Sequence, residues 1–338
     1  MPKLLIPLMI LLLAGAAASN GHAASIDEIR KSAERGDSAS QFSLGQRYEA
    51  GEGVERDPAE AAAWYRKAAQ QGHAKAQTNL GNLYRAGQGV EQDYGEALAW
   101  YRKAADQGDT KAQINIAMMY ASGMGVDQDT AEGLKWLQRA ADAGDTQAMV
   151  HLGTLYGAGK DVDKDYTKST RWFRSAAEQG DTVAQHNLGL SYFTGKGVAR
   201  DYAQSVKWHR KAADKGYPPA EYSMALRYAK GNGVKQDYGQ AADWYREAAQ
   251  HGHPSAQNNL GLMYRKGQGV EQDYGEALAW FRKAAERGHP QAQYNLGNMY
   301  LKGLGTKQDP EEAKTWFRKA AKARHKGAKK ALKALEDG

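Results

Sequence analysis

The stretch GHAKAQTNLGNLYRAGQGVEQDYGEALAWYRKAADQ, Gly72 to Gln107, decides the fold, because it matches the chain again each time it is slid by 36 residues. Trp100 recurs as Trp64, Trp136, Trp172, Trp208, Trp244, Trp280 and Trp316, which are all eight tryptophans of the protein. Tyr84 recurs in the same way from Tyr48 to Tyr300. A fixed period of this length is the sequence signature of a solenoid, in which each unit stacks only on its neighbours.

Count Gly72 as position 1. Ala76, Leu80 and Tyr84 then fall four residues apart, on one face of a first helix. Gly81 at position 10 leaves room for a neighbouring helix, and Gly87 at position 16 ends the first helix in a left-handed turn. Asp93 opens a second helix, and Glu96 three residues on predicts a reciprocal capping box. Ala97, Trp100, Tyr101, Ala104 and Ala105 form the second apolar face. Gly is present at positions 1 and 16 in all eight repeats, at position 18 in seven (Asp161 is the exception) and at position 10 in six. These glycines read as turns and close packing. GQGVEQ is not a phosphate loop, since no G-K-[ST] follows.

The residues A-x3-L-G-x2-Y-x2-G-x-G-V-x2-D-x3-A-x2-W-[YF]-x2-A-A-x2-G resemble the Sel-1-like repeat family, relatives of the tetratricopeptide repeat. Ala76, Leu80, Gly81, Tyr84, Gly87, Gly89, Val90, Asp93, Ala97, Trp100, Tyr101, Ala104, Ala105 and Gly108 carry the match. The resemblance implies an all-α protein, a right-handed α/α superhelical solenoid of helix–turn–helix repeats, acting as a protein-binding adaptor. It also implies settings in envelope regulation, secretion, cell-wall assembly or host contact. Repeat 4, with GAGKDVDKDYTKS, departs most in its loop, where local distortion is expected.

The chain divides accordingly. Residues 1–24 read as a signal peptide: Lys3, an apolar run from Leu4 to Ala18, then small residues. This predicts export, to the periplasm first and secretion second, with no transmembrane span in the mature protein. Residues 25–35 resemble the end of a second helix and form an N-terminal capping half-repeat. Residues 36–323 hold the eight repeats, and residues 324–338 form a basic C-terminal capping helix. From Lys314 onward there are nine Lys or Arg and two acids, a net of +7 that equals the net charge of the whole chain. The basic end offers contact with an acidic partner or a cell-wall polymer; its alternative is a solvated cap helix. No nucleic-acid motif is present. The absence of cysteine excludes disulfides and thiol chemistry.

Chemistry-bearing residues follow the period. His73, His253 and His289 share position 2 with Asp37, Asp109, Asp145 and Asp181, which reads as a helix cap rather than a metal ligand. The Asp at position 22 in every repeat is a cap as well. No G-x-S-x-G or S-x-x-K occurs, and no residue breaks the period to build a unique pocket. These observations predict no catalytic residue, no cofactor and no metal. Cysteine-rich members of the family it resembles are described as penicillin-binding or β-lactamase-like hydrolases, and that alternative, like peptidoglycan binding, stays open beside the scaffold.

The candidate partner-binding residues lie on the first helices, which line the inner wall in stacked hairpins of this kind. Position 8 is Asn79, Asn115, Asn187, Asn259 and Asn295, with His151 in repeat 4. An asparagine can pair with a peptide backbone through both a donor and an acceptor. The tetratricopeptide domains it resembles use asparagines on this helix to hold peptides. The alternative is that each amide is part of the packing. His186, Tyr222 and Tyr294 at position 7, and Leu190, Leu226 and Leu262 at position 11, would supply specificity for a protein or peptide ligand.

Overall fold

The structure, a computed structural model, describes residues 25–336. The signal peptide expected over residues 1–24 lies outside the described residues. Every regular element among the described residues is a helix: eighteen in succession, from Ile26–Glu34 to Lys326–Glu336. The fold is an α/α solenoid of helix–turn–helix repeats. The chain forms two compact units, the first ending at Ala112 and the second beginning at Gln113.

The quoted repeat shows how the hairpin is made. Its first helix, Ala74–Ala86, stops at Gly87, whose φ of 66° is left-handed. The Gly87 N–H donates to the Leu83 carbonyl, which satisfies one of the orphan carbonyls of the last turn. Its second helix, Tyr94–Asp106, starts at Asp93, whose carboxylate accepts from the Glu96 N–H at 2.9 Å. The reciprocal half of the predicted capping box does not form. The Asp93 N–H already donates to the Tyr84 carbonyl at 3.0 Å, so it has no use for the Glu96 side chain. The same bond recurs in every repeat, from Asp57 on Tyr48 to Asp309 on Tyr300. The position-22 Asp therefore pins the start of the second helix to the end of the first. Freed from the cap, Glu276 and Glu312 accept from the indole N–H of Trp280 and Trp316.

The core is built around position 30 rather than the tryptophan beside it. Tyr65, Tyr101, Phe281 and Phe317 are fully buried. Each lies flat on the glycine of its own hairpin: a Cβ on Gly81 would stand 2.6 Å from the Tyr101 ring, and one on Gly297 would stand 2.6 Å from Phe317. Burying such a ring contributes on the order of 2–3 kcal/mol by area alone. In repeat 3 the glycine is Ala117 and the ring is Leu137, both in one buried cluster. The tryptophans lie on the flank, where a lysine one turn later covers the indole, as Lys67 does Trp64 at 3.6 Å and Lys283 does Trp280 at 4.1 Å. Repeats are tied by side-chain amides. Gln77 donates to the Ala69 carbonyl, Gln257 to Ala249 and Gln293 to Ala285, which occupies carbonyls at the end of each preceding second helix.

The distortion expected of repeat 4 is not seen in the backbone at position 18, where the seven glycines of the other repeats have φ of 69–81°. Asp161 takes a φ of 68° at the position that is glycine in the other seven repeats. At Gly197, Gly233 and Gly305 a Cβ would run into the backbone carbonyl that opens the preceding second helix. Asp161 has a Cβ at that place and a backbone conformation that costs an L-residue about 1–2 kcal/mol. Replacing it, Asp161→Gly, is expected to stabilise the protein by about 1 kcal/mol after the entropy of a more flexible unfolded chain is set against it. A urea titration followed by circular dichroism reads this; an unchanged or lower midpoint would refute it.

Candidate protein-interaction face

One stripe of each first helix runs through positions 4, 8, 11 and 15, the spacing of one helical face. In repeats 5 to 8 it carries Asn187, Leu190, Leu226, Asn259 and Leu262, all half-buried, and the exposed Lys230, Lys266 and Lys302. His151 is exposed on the same face one repeat earlier. Asn79 and Asn115 are half-buried.

The asparagines are partly occupied by the fold itself. Asn187 donates to the Val183 carbonyl of its own helix at 2.9 Å. Asn259 donates to the Tyr245 hydroxyl at 3.2 Å and accepts from Asn258. Asn295, 4% exposed, donates to Asn258 and accepts from Gln291. Asn79 lies within reach of the Tyr65 hydroxyl. Asn79 and Asn259 thus reach the position-30 ring of the preceding repeat, Asn295 pairs with neighbouring amides, and Asn187 bonds its own helix. The half-buried leucines at position 11 lie along the same stripe, and Leu226 and Leu262 rest part of their surface on the core.

The position-7 rings have a role in packing. Phe42 stacks on His73 with centroids 4.6 Å apart, Tyr222 on His253 at 4.5 Å and Tyr294 on His325 at 4.7 Å. His186 meets Tyr217 edge-on at 5.6 Å. Each histidine also caps its helix: Nδ1 of His73, His253, His289 and His325 accepts a backbone N–H three residues on. The capping role read from the alternation with Asp holds, and stacking accounts for His73, His253 and His325, whereas His289 follows Asn258. In these pairs a ring at position 7 meets a ring at position 2 of the next repeat, whereas Ile114 and Val150 are followed by Asp145 and Asp181. Burial lowers the pKa of His73, His253 and His289, in keeping with a neutral ring that accepts at Nδ1.

The expectation that nothing breaks the period is corrected in repeats 5 and 6. Position 30, a Tyr, Phe or Leu elsewhere, is His209, which is wholly buried. Its Nδ1 faces the Ser205 hydroxyl at 3.2 Å, and its Nε2 is buried without a hydrogen-bond partner. His186 lies 5.2 Å away, with Nδ1 likewise unpaired. Burial first, then the positive charge of neighbours, holds His209 at a pKa of about 3 and His186 at about 4. Position 6, where six repeats have Gln, is Glu221, 2% exposed and bonded to Nδ1 of His251 at 2.9 Å. Burial raises the Glu221 carboxyl above its ordinary range, with His251 pulling against it. In the first two repeats the same pair of positions is a Gln–Gln hydrogen bond, Gln41 with Gln71 and Gln77 with Gln107. Position 12, where five repeats have Leu or Met, is the buried Arg227. These departures were visible in the alignment of the repeats against one another, as three columns in which repeat 5 or 6 changes class.

No group of three or more His, Cys, Asp or Glu side chains among the described residues could hold a metal ion. No helix among them is long and apolar enough to cross a membrane.

The family model described as "Sel1 repeat" matches the chain eight times without a gap, over residues 38–73, 74–109, 110–145, 146–181, 182–217, 218–253, 254–289 and 290–325. The chain belongs to the Sel1 repeat family. Among solved structures it is similar to a protective antigen of uropathogenic Escherichia coli displaying an SLR fold. That match has 37% identity, covers 92% of this chain and 67% of that one, and has a TM-score of 0.79. It is similar also to a Sel1 repeat protein from Oxalobacter formigenes, at 35% identity over 94% of this chain and 95% of that one, with a TM-score of 0.76. The curated proteins gave no match.

Proposed function

We propose that this Sel1 repeat protein is a non-catalytic scaffold that holds a partner polypeptide on the concave wall, along the stripe of its first helices through positions 4, 8, 11 and 15. The observation that carries the reading is the row Leu190, Leu226 and Leu262. These are half-buried leucines at one position of three successive repeats; Asn187 and Asn259 lie beside the first and third, and Lys230 and Lys266 lie one turn beyond the second and third. Apolar anchors in a polar surround are how interfaces concentrate binding free energy. Of the position-8 residues, Asn187 and Asn259 flank the leucines, whereas Asn295 is turned into the packing. The order of charge, apolar run and small residues over residues 1–24 supports export and action in the cell envelope, with the periplasm as the compartment.

The test is to immobilise the protein beside a variant with Leu190, Leu226 and Leu262 changed to Gln, and compare the envelope proteins each retains. The two proteins must melt alike by circular dichroism. A partner held by the parent and weakened at least tenfold in the variant is the expected result, since losing one such anchor commonly costs more than about 1 kcal/mol. Equal retention would place the interaction elsewhere.

A further inference from the structure

Arg227 is the least periodic residue of the second unit. It lies in the helix Pro218–Lys230 and is 4% exposed. Its Nε is buried without an acceptor, and it makes no ion pair among the described residues. The guanidinium lies over the Phe193 ring, 3.3 Å from its centroid. Phe193 leans on Tyr202 at 5.3 Å, and Arg200 lies over the far side of Tyr202 at 5.5 Å. His186, His209 and the Tyr202 phenol are the other ionisable groups close to the guanidinium; the two histidines feel its charge, and the phenol favours the charged guanidinium. The surroundings are therefore aromatic and uncharged near pH 7, with no carboxylate among these neighbours to balance the guanidinium.

Stability does not account for this arginine. A buried charge with no counter-ion is strongly unfavourable, and Met119, Leu155, Met263 and Met299 take the same position in other repeats of the unit. Stacking on Phe193 recovers only part of that cost. A residue that is unfavourable for folding and unexplained by packing is the pattern of a binding group. We propose that Arg227, held flat against Phe193, is an anion-recognition site that takes a carboxylate of the bound partner polypeptide. The planar fork of a stacked guanidinium offers its edge to a planar oxyanion, and carboxylate matches it in a bidentate manner. Because burial and Arg227 keep His186 and His209 neutral near pH 7, the site carries one close positive charge, which suits a monoanion better than a phosphate dianion. The inference rests on the scaffold reading for the source of the carboxylate, and on Arg227 alone for the presence of a site.

The experiment uses the full chain, sodium acetate as the probe and sodium chloride at equal ionic strength as the control. Arginine Nε–H signals are followed by 15N–1H NMR, the Arg227 signal being the one absent in Arg227→Met. Acetate is expected to move that signal saturably and to raise the melting temperature of the parent. Arg227→Met should melt higher than the parent in chloride and show no response to acetate. Arg227→Lys, which keeps the charge but loses the fork, should fold and bind acetate about tenfold more weakly. The proposal is overturned if acetate gives no saturable shift, if Arg227→Met melts lower than the parent, or if inorganic phosphate binds more tightly than acetate. If acetate titrates on Arg227 while the leucine variant still retains every partner, the anion site stands and the first-helix stripe fails.

Discussion

Gly269→Ala is expected to destabilise the protein by at least about 3 kcal/mol, whereas Gly288→Ala, nineteen residues on, costs about 1 kcal/mol. Both glycines are left-handed, with φ of 73° and 81°, so both substitutions carry the same backbone strain. They differ in what a methyl group meets. At Gly288 there is nothing within 4 Å, while at Gly269 the new Cβ would overlap the Tyr238 carbonyl and stand 2.8 Å from the Gly239 nitrogen. Those atoms are backbone at the start of the helix Tyr238–Gln250, and they cannot rotate aside as a side chain can. Relief requires the loop of repeat 7 to separate from the second helix of repeat 6. In a solenoid each repeat is stable only through its neighbours, so a weakened contact between repeats 6 and 7 also threatens the single cooperative transition. Urea unfolding followed by circular dichroism should show a lower midpoint and a broader transition for Gly269→Ala alone. Equal losses for the two variants would mean that the φ angle, and not the approach of the next repeat, is why position 18 is glycine.

The fold was legible because the sequence repeats its own test eight times. The spacing of Ala76, Leu80 and Tyr84, the glycine at position 16 and the Asp at position 22 each predict one local feature, and the structure shows all three. What the pattern did not carry was direction. Position 29 is Trp in all eight repeats, yet it is the neighbour at position 30 that lies at the centre of the core, since Tyr, Phe, Leu and His can share one slot on a glycine or alanine. The capping box was misread for a similar reason: Glu96 has the right spacing, but the Tyr84 carbonyl reaches the Asp93 N–H first. The candidate site was less legible. A position-8 asparagine looks the same in sequence whether its amide faces a ligand or the Tyr245 hydroxyl. The most unusual residues, His209, Glu221 and Arg227, are hard to pick out because each stands in a column that is otherwise mostly regular: His209 is alone in its column, Glu221 shares the departure with Met149, and Arg227 with Arg47 and Ser191. Regularity shows the fold, and departures from it hold the information about what the fold is used for.

One departure has a measurable thermodynamic consequence. His209→Phe is expected to make the protein more stable at pH 7 and to remove much of its sensitivity to acid. Phe is the residue that fills the same slot at Phe281 and Phe317, against Gly261 and Gly297, as His209 does against Gly189. It eliminates a buried Nε2 that has no partner, a gain of about 1–2 kcal/mol. The Ser205 hydroxyl that faced Nδ1 can turn to a carbonyl of its own helix. The pH effect follows from the sign of the shift. The folded pKa of His209, about 3, lies below the ordinary value of 6.5, so the unfolded chain binds the proton more readily than the folded one. Stability from the neutral ring is complete above pH 6.5 and is lost as the pH falls through the interval down to about 3. By pH 4.5 the loss attributable to His209 alone is about 2–3 kcal/mol, at about 1.4 kcal/mol per pKa unit. His186, depressed by burial in the same cluster, adds to the slope in the parent and stays in the variant, as do the capping histidines. Urea titrations at pH 7 and pH 4.5 on both proteins give the comparison. The parent should lose about 2–3 kcal/mol more than His209→Phe between the two pH values. Parallel losses would mean that His209 is already hydrated or protonated in the folded protein, and that the repeat 5 core opens to water where the repeat 7 and 8 cores stay closed.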